Sequence, residues 1–235
     1  MDFNQNLFAD EASQPADRVQ IIYYTDPLCC WSWALEPHWQ RLLDENADLI
    51  TYSYCMGGMI PDWQTFNDPI NSVSRPVQMG PVWMEAKHLT GIGMDDSIWI
   101  KDPPSSSYPA CIAVKAAALQ SLAAEEILLK RIRKAVMVES KNVARADVLS
   151  DLARQTGQQY PEVFDFGRFS TDYESEASRH SFRNDLAKVR YMQIGRFPTI
   201  TMTQPGGKSL IITGYRPYEV LQEALRASLP VASVT

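Results

Sequence analysis

The sequence predicts an α/β fold in which a small sheet is assembled from the two ends of the chain, with a long helical insertion between them. Three observations carry this. A β-type run, a helix-type run and a second β-type run follow one another within residues 19–56; two short β-type runs and a helix close the chain at 197–225; and the stretch between reads as mostly helical.

The first run, residues 19–24 (VQIIYY), is apolar and rich in β-branched residues and tyrosine, and it stops at Thr25-Asp26-Pro27. An amphipathic segment then starts at the pair Cys29-Cys30 and continues to about residue 44. Residues 48–56 (DLITYSYCM) make the second strand, ending at Gly57-Gly58. Strand, helix and strand in this order form a βαβ unit with a parallel pair. Near the C-terminus, 197–203 (FPTITMT) and 209–213 (SLIIT) flank Gln204-Pro205-Gly206-Gly207, a turn signal, and read as a hairpin. Pro217 stands where a last helix would start, and Val220, Leu221, Ala224 and Leu225 give it one apolar face.

Between these halves, helices are expected at 81–89, 109–119, 123–138, 147–156 (closed by Gly157) and 174–194 (closed by Gly195). The domain organisation that follows is one discontinuous unit, 18–62 plus 195–230, an inserted helical unit, 63–194, and a polar tail, 1–17, expected to be flexible. Residues 57–80, rich in Gly, Pro, Asn and Asp, read as an irregular loop. In a compact protein such a loop more often rims a site than fills space.

Composition narrows the function classes. The 235 residues carry a formal net charge of −6, with 45% hydrophobic and 21% charged residues. That balance argues against nucleic-acid binding, which needs clustered Lys and Arg. The one basic run, Lys130-Arg131-Ile132-Arg133-Lys134, reads as the solvated face of a helix. No apolar run approaches the length of a bilayer span, and the N-terminal residues do not have the order of a signal peptide. The expectation is therefore a cytoplasmic protein without a membrane partner, its four cysteines reduced. His38, His88 and His180 are scattered, and no cysteine spacing suits a metal.

Chemistry concentrates at residues 23–39, YYTDPLCCWSWALEPHW. Cys29 stands at a helix mouth, where unpaired backbone N–H groups and the positive end of the helix dipole favour a thiolate, the form that attacks disulfides. A buried, inert thiol is the plain alternative. Ser32 occupies the position that would complete a Cys-x-x-Cys pair. Cys30 reads as a helix-face thiol, since a disulfide between neighbours needs a distorted peptide bond. Trp31, Trp33 and Trp39 cannot share one helix face, and Trp31 is the one expected to stay partly exposed. Glu36 reads either as an acid placed by the helix dipole or as a proton carrier. Cys55 ends an apolar strand and reads as core. Cys111 opens an inserted helix that can face the site.

Asp26, Pro27, Leu28, Cys29, Trp31, Trp33, Glu36 and Pro37, with the run Ser106-Ser107-Tyr108-Pro109-Ala110, resemble the DsbA-like branch of the thioredoxin superfamily. The similarity is strongest to its cytosolic, FrnE-type, disulfide isomerase-like members. It implies a thioredoxin fold with a large helical insertion. It also implies that Pro198, in Arg196-Phe197-Pro198-Thr199, is cis and lies against Cys29, with Phe197 offering its backbone to an extended substrate; an ordinary trans proline opening an edge strand is the alternative. Ser32 departs from the family pattern, because a dithiol cycle needs a second sulfur to resolve the mixed disulfide. The resemblance thus implies a thiol-disulfide oxidoreductase or isomerase acting through Cys29 alone, on protein or peptide thiols, without a bound cofactor and with glutathione as a candidate co-substrate. The alternatives are a redox-inactive adaptor or peptide-binding protein, as some cytosolic relatives are, and a kappa-type glutathione-dependent isomerase or transferase. In that last class a serine stands where this chain has Cys29.

Overall fold

The computed structural model describes residues 18–204 and 206–230; the tail 1–17 and Pro205 of the hairpin turn lie outside them. The chain runs β1 (Val19–Thr25), α1 (Cys30–Glu45), β2 (Ile50–Met56), a short 3-10 turn (Pro76–Gln78), α2 (Met79–Thr90), α3 (Ile98–Lys101), α4 (Tyr108–Ala118), α5 (Leu122–Met137), α6 (Ala146–Gln159), α7 (Phe166–Glu174), α8 (Glu176–Tyr191), β3 (Thr199–Thr203), β4 (Ser209–Thr213) and α9 (Tyr218–Ser228). This is the thioredoxin fold with a helical insertion.

The sheet order is β2-β1-β3-β4, with β1 parallel to β2 and antiparallel to β3, and β3 antiparallel to β4. The register decides where a site can form. Tyr24 pairs with Cys55 on one side and with Thr199 on the other. The segments that follow β1, follow β2 and precede β3 therefore meet at one end of the sheet.

The central strand is buried on both faces, Val19, Ile21, Tyr23 and Tyr24 having at most 1% exposure. Helix α1 lays Ala34, Leu35, Trp39, Leu42 and Leu43 on it, each large side chain contributing about 2 kcal/mol by burial. Trp39 lies 5.0 Å from the Tyr23 ring and donates its indole N–H to the Tyr54 hydroxyl at 2.9 Å. The apolar core then continues into the insertion, where α4 is buried nearly all round among α5, α7 and α8.

Several sequence expectations are corrected. Helix α6 runs through Gly157 to Gln159 rather than ending at 156. The glycine is there for space: a Cβ on it would stand 3.2 Å from Phe166 Cβ and 3.3 Å from the Phe164 carbonyl. The helix expected over 174–194 starts only at Glu176, because the Ser175 hydroxyl accepts the Ser178 N–H and caps it, and α7 ends just before. Gln193, not Gly195, takes the left-handed conformation after α8. Pro217 caps α9 from outside its first residue. The short α3 had no sequence signal. The basic run 130–134 is no solvated face: Arg133 is fully buried, and of the five only Lys134 is exposed.

Candidate functional site

The turn from β1 to α1 is organised by Asp26, which is completely buried. One carboxylate oxygen accepts the Leu28 N–H at 2.8 Å; the other accepts the Met59 N–H at 2.7 Å and the Cys111 thiol at 3.4 Å. Asp26 thus ties its own loop to the end of β2 and to the insertion. Burial pushes its pKa up, and the hydrogen bonds from Met59, Leu28, Ser107 and Cys111 only partly oppose that. Ser107 adds a second tie, exchanging hydrogen bonds with the backbone of Ile60 through its N–H and hydroxyl. This explains why the run ahead of Cys111 carries a buried serine.

Pro27 and the Asp26 carbonyl lead the chain into Cys29, whose N–H donates to that carbonyl at 3.1 Å. Cys29 is the N-cap of α1, and its own carbonyl accepts the N–H groups of Ser32 and Trp33. The residue is 3% exposed, and its sulfur donates to the Phe197 carbonyl at 3.4 Å. The thiol stands at a helix mouth, as the sequence places it, and burial adds an influence that the sequence does not show. Burial pushes the Cys29 pKa up; Ser32, through hydroxyl and N–H, pulls the other way and does not offset it. The buried Ser32 hydroxyl makes no well-formed hydrogen bond, and a Cys29 thiolate would draw it in as a donor.

The Phe197–Pro198 bond is cis. The Thr199 hydroxyl donates to the Arg196 carbonyl at 2.8 Å and closes the turn around it. The Phe197 ring folds over Gly57 so closely that a Cβ there would stand 2.1 Å from Phe197 Cζ. Only glycine fits.

A cleft of about 590 Å3 opens beside Cys29 and Cys30, between Trp31, the Gly57–Gly58 pair, Ile70 of the 57–80 loop, Trp83 of α2 and Phe197. The loop is a rim, as its composition predicts. Trp31 is partly exposed and lies 6.2 Å from the Tyr215 ring. Trp33 points elsewhere, donating to the Gly93 carbonyl at 3.1 Å, and Trp39 is core. All four cysteines are free and buried. Burial pushes Cys30, Cys55 and Cys111 well up as well. Among the described residues no cluster of His, Cys, Asp and Glu could hold a metal, and no helix is long and apolar enough to cross a membrane.

Two buried cations underlie the site, and neither was expected from the sequence. Arg133 of α5 donates to Glu36 at 2.6 Å and to the Thr25 hydroxyl, and lies 5.7 Å over the Tyr23 ring. The Tyr23 hydroxyl donates to the Ser32 carbonyl at 3.3 Å, so the guanidinium braces both sides of the Cys29 turn. Glu36 is therefore a structural ion-pair partner in the second turn of α1, not a first-turn acid. Lys115 of α4 meets Glu125 at 2.9 Å and Asp185 at 3.4 Å, and Asp185 accepts the Met56 N–H at 2.8 Å. The overlooked signal for Arg133 was its place on an apolar stripe, four residues after Leu129 and three before Val136.

The fold and the Cys29–cis-Pro198 pairing define a thioredoxin-type protein of DsbA-like architecture. The chain belongs to the thioredoxin family whose profile, described as Thioredoxin, matches residues 23–223. It is similar to the ClpXP adapter protein SpxH of Halalkalibacterium halodurans, 24% identical over 94% of this chain and 71% of the relative. Among solved structures it is similar to a candidate protein disulfide isomerase of Nitrosomonas europaea, with TM-score 0.73, 22% identity, and 90% and 97% of the two chains covered. It is also similar to the cytosolic disulfide reductase DsbM of Pseudomonas aeruginosa with GSH, with TM-score 0.63, 20% identity, and 88% and 99% covered.

Proposed function

We propose that this chain is a protein-capture module, an adaptor that holds a segment of a protein partner in the cleft between Cys29 and Phe197 without redox turnover. One observation carries the reading: the residue that should resolve a mixed disulfide is Ser32, and the remaining sulfur is buried against the Phe197 carbonyl at 3.4 Å, where burial works against its thiolate. The adaptor role of the SpxH relatives supports it. In this reading Asp26, Pro27 and Ser32 shape the turn, Cys30 and Trp31 wall the cleft, and Phe197 offers its backbone to an extended segment, with Pro198 and Thr199 behind it tying that position into the sheet. The setting is cytoplasmic, like that of DsbM by its name.

A second reading rests on Cys29 itself, a helix-capping cysteine opposite a cis-proline edge. There, the Cys29 thiolate attacks a disulfide, forming Cys29–S–S–R and releasing the other half as a thiolate; a glutathione thiolate then attacks the R sulfur, freeing Cys29 and leaving R–S–S–glutathione. The glutathione-transferase alternative has a sulfur where that class uses a hydroxyl, and calorimetry showing no glutathione binding at millimolar concentration removes it.

One comparison separates the two leading readings. Partner capture by the purified protein is measured for wild type and Cys29→Ser, alongside reduction of a disulfide peptide. Retained capture by Cys29→Ser with no peptide reduction by wild type supports the adaptor; loss of capture together with a trapped Cys29 mixed disulfide overturns it.

A further inference from the structure

Residues 186–218 contain no Asp or Glu but five cations, Lys188, Arg190, Arg196, Lys208 and Arg216, in a chain whose net charge is −6. This acid-free stretch carries the cis-proline edge. Arg196 lines the cleft directly. Arg190 lies in the last turn of α8 next to Val189, which lines the cleft together with Gly58, and its charge is felt by the Tyr108 phenol, whose ring lies 2.9 Å from where a Cβ on Gly58 would stand. Arg216 follows Tyr215, the partner of Trp31, at the other end. All three arginines are exposed, and among the described residues none forms an ion pair.

The acids on the facing rim are engaged differently. Asp62 accepts from the Gln64 and Thr65 N–H groups and the Thr65 hydroxyl; Asp68 accepts from the Ile70 and Asn71 N–H groups and the Asn71 amide. Each is held by its own turn. Asp26 is buried behind the site with its pKa raised, and Glu85 on α2 is the exposed acid on that wall. The cis-proline side of the cleft therefore carries guanidinium groups without an ion-pair partner, facing turn-bound carboxylates across an apolar floor.

We infer that the segment captured here is acidic: an extended stretch of a protein partner with one apolar side chain entering the cleft and carboxylates on either side, read by Arg190, Arg196 and Arg216. This rests on the capture reading above. Extended backbone alternates its side chains, so an anchor turned into the cleft leaves its neighbours free to meet the rim. Guanidinium groups suit carboxylates through paired N–H donors.

The test uses the full chain and two fluorescein-labelled peptides with the same aromatic anchor, one flanked by Glu and Asp, the other by Lys. Anisotropy should give the acidic probe at least about fivefold tighter binding in low salt, with the advantage shrinking as salt screens it. Arg196→Glu and Arg190→Glu should each weaken the acidic probe by about fivefold, while Arg226→Glu on the remote α9 should leave it unchanged. Equal, mutually competitive binding of both probes overturns the acidic preference and leaves capture standing. No binding of either probe overturns both, as does binding confined to glutathione. Loss caused equally by Arg226→Glu overturns the assignment to this rim.

Discussion

Two cations descend from the helical insertion to the same end of the sheet, and they are balanced differently. Arg133 meets one carboxylate, Glu36, together with a hydroxyl and an aromatic face. Lys115 meets two carboxylates, Glu125 and Asp185, and the Tyr54 carbonyl at 3.4 Å. The first group is neutral overall and braces the Cys29 turn; the second carries one acid in excess and braces the end of β2 ahead of Gly57. Two acids hold Lys115 firmly protonated, while burial pushes Glu125 up. Acid therefore acts on the Lys115 cluster through Glu125.

Breaking the neutral pair should cost most. Arg133→Met leaves Glu36 facing a buried void, with an expected loss of about 3–5 kcal/mol by denaturant titration. Pairing it with Glu36→Gln should recover much of that loss, since an unpaired buried charge is the main penalty. Lys115→Met should cost about 3 kcal/mol near neutral pH and visibly less in acid, where Glu125, its pKa pushed up by burial, takes a proton; the same titration at two pH values reads the difference. If Arg133→Met instead showed the stronger relief in acid, the contrast between the clusters would be reversed.

Between the braces sits the Gly57–Phe197 contact. Gly57→Ala should force the Phe197 ring off the glycine at a cost of about 1–3 kcal/mol, and should speed alkylation of Cys29 by iodoacetamide. Phe197→Ala should give the same acceleration with no overlap to relieve. The smallest effect belongs to Asp26. Its folded pKa is raised above the ordinary 3.8, so its contribution to stability is fully present below 3.8 and is lost as pH rises through the folded value. Asp26→Asn should flatten that part of the stability curve, as read by chemical denaturation against pH.

The sheet, α1 and the Cys29 turn were legible because their signals are local: the apolar, β-branched run 19–24, turn residues at 25–27, and helical spacing beyond Cys30. Pro198 was legible only through its place after the insertion. The environment of Asp26 was not, because its partners Met59 and Cys111 arrive from other segments. The same holds for the ionisation of Cys29. A helix terminus is visible in sequence, but the desolvation that outweighs it comes from elements joined only by folding. Arg133 was misread because a basic run looks solvated until the apolar stripe through it is traced. The boundary between α7 and α8 was hidden since one serine hydroxyl decides it.

The carbonyl that receives the Cys29 hydrogen lies 168 residues downstream. At ribosomal speeds of about 5–20 residues per second, it emerges roughly 10–30 s after the cysteine. Throughout that interval the nascent chain presents a thiol with nothing laid across it. Cellular oxidants therefore meet this sulfur most easily during synthesis, and completion of the polypeptide is the event that puts it away.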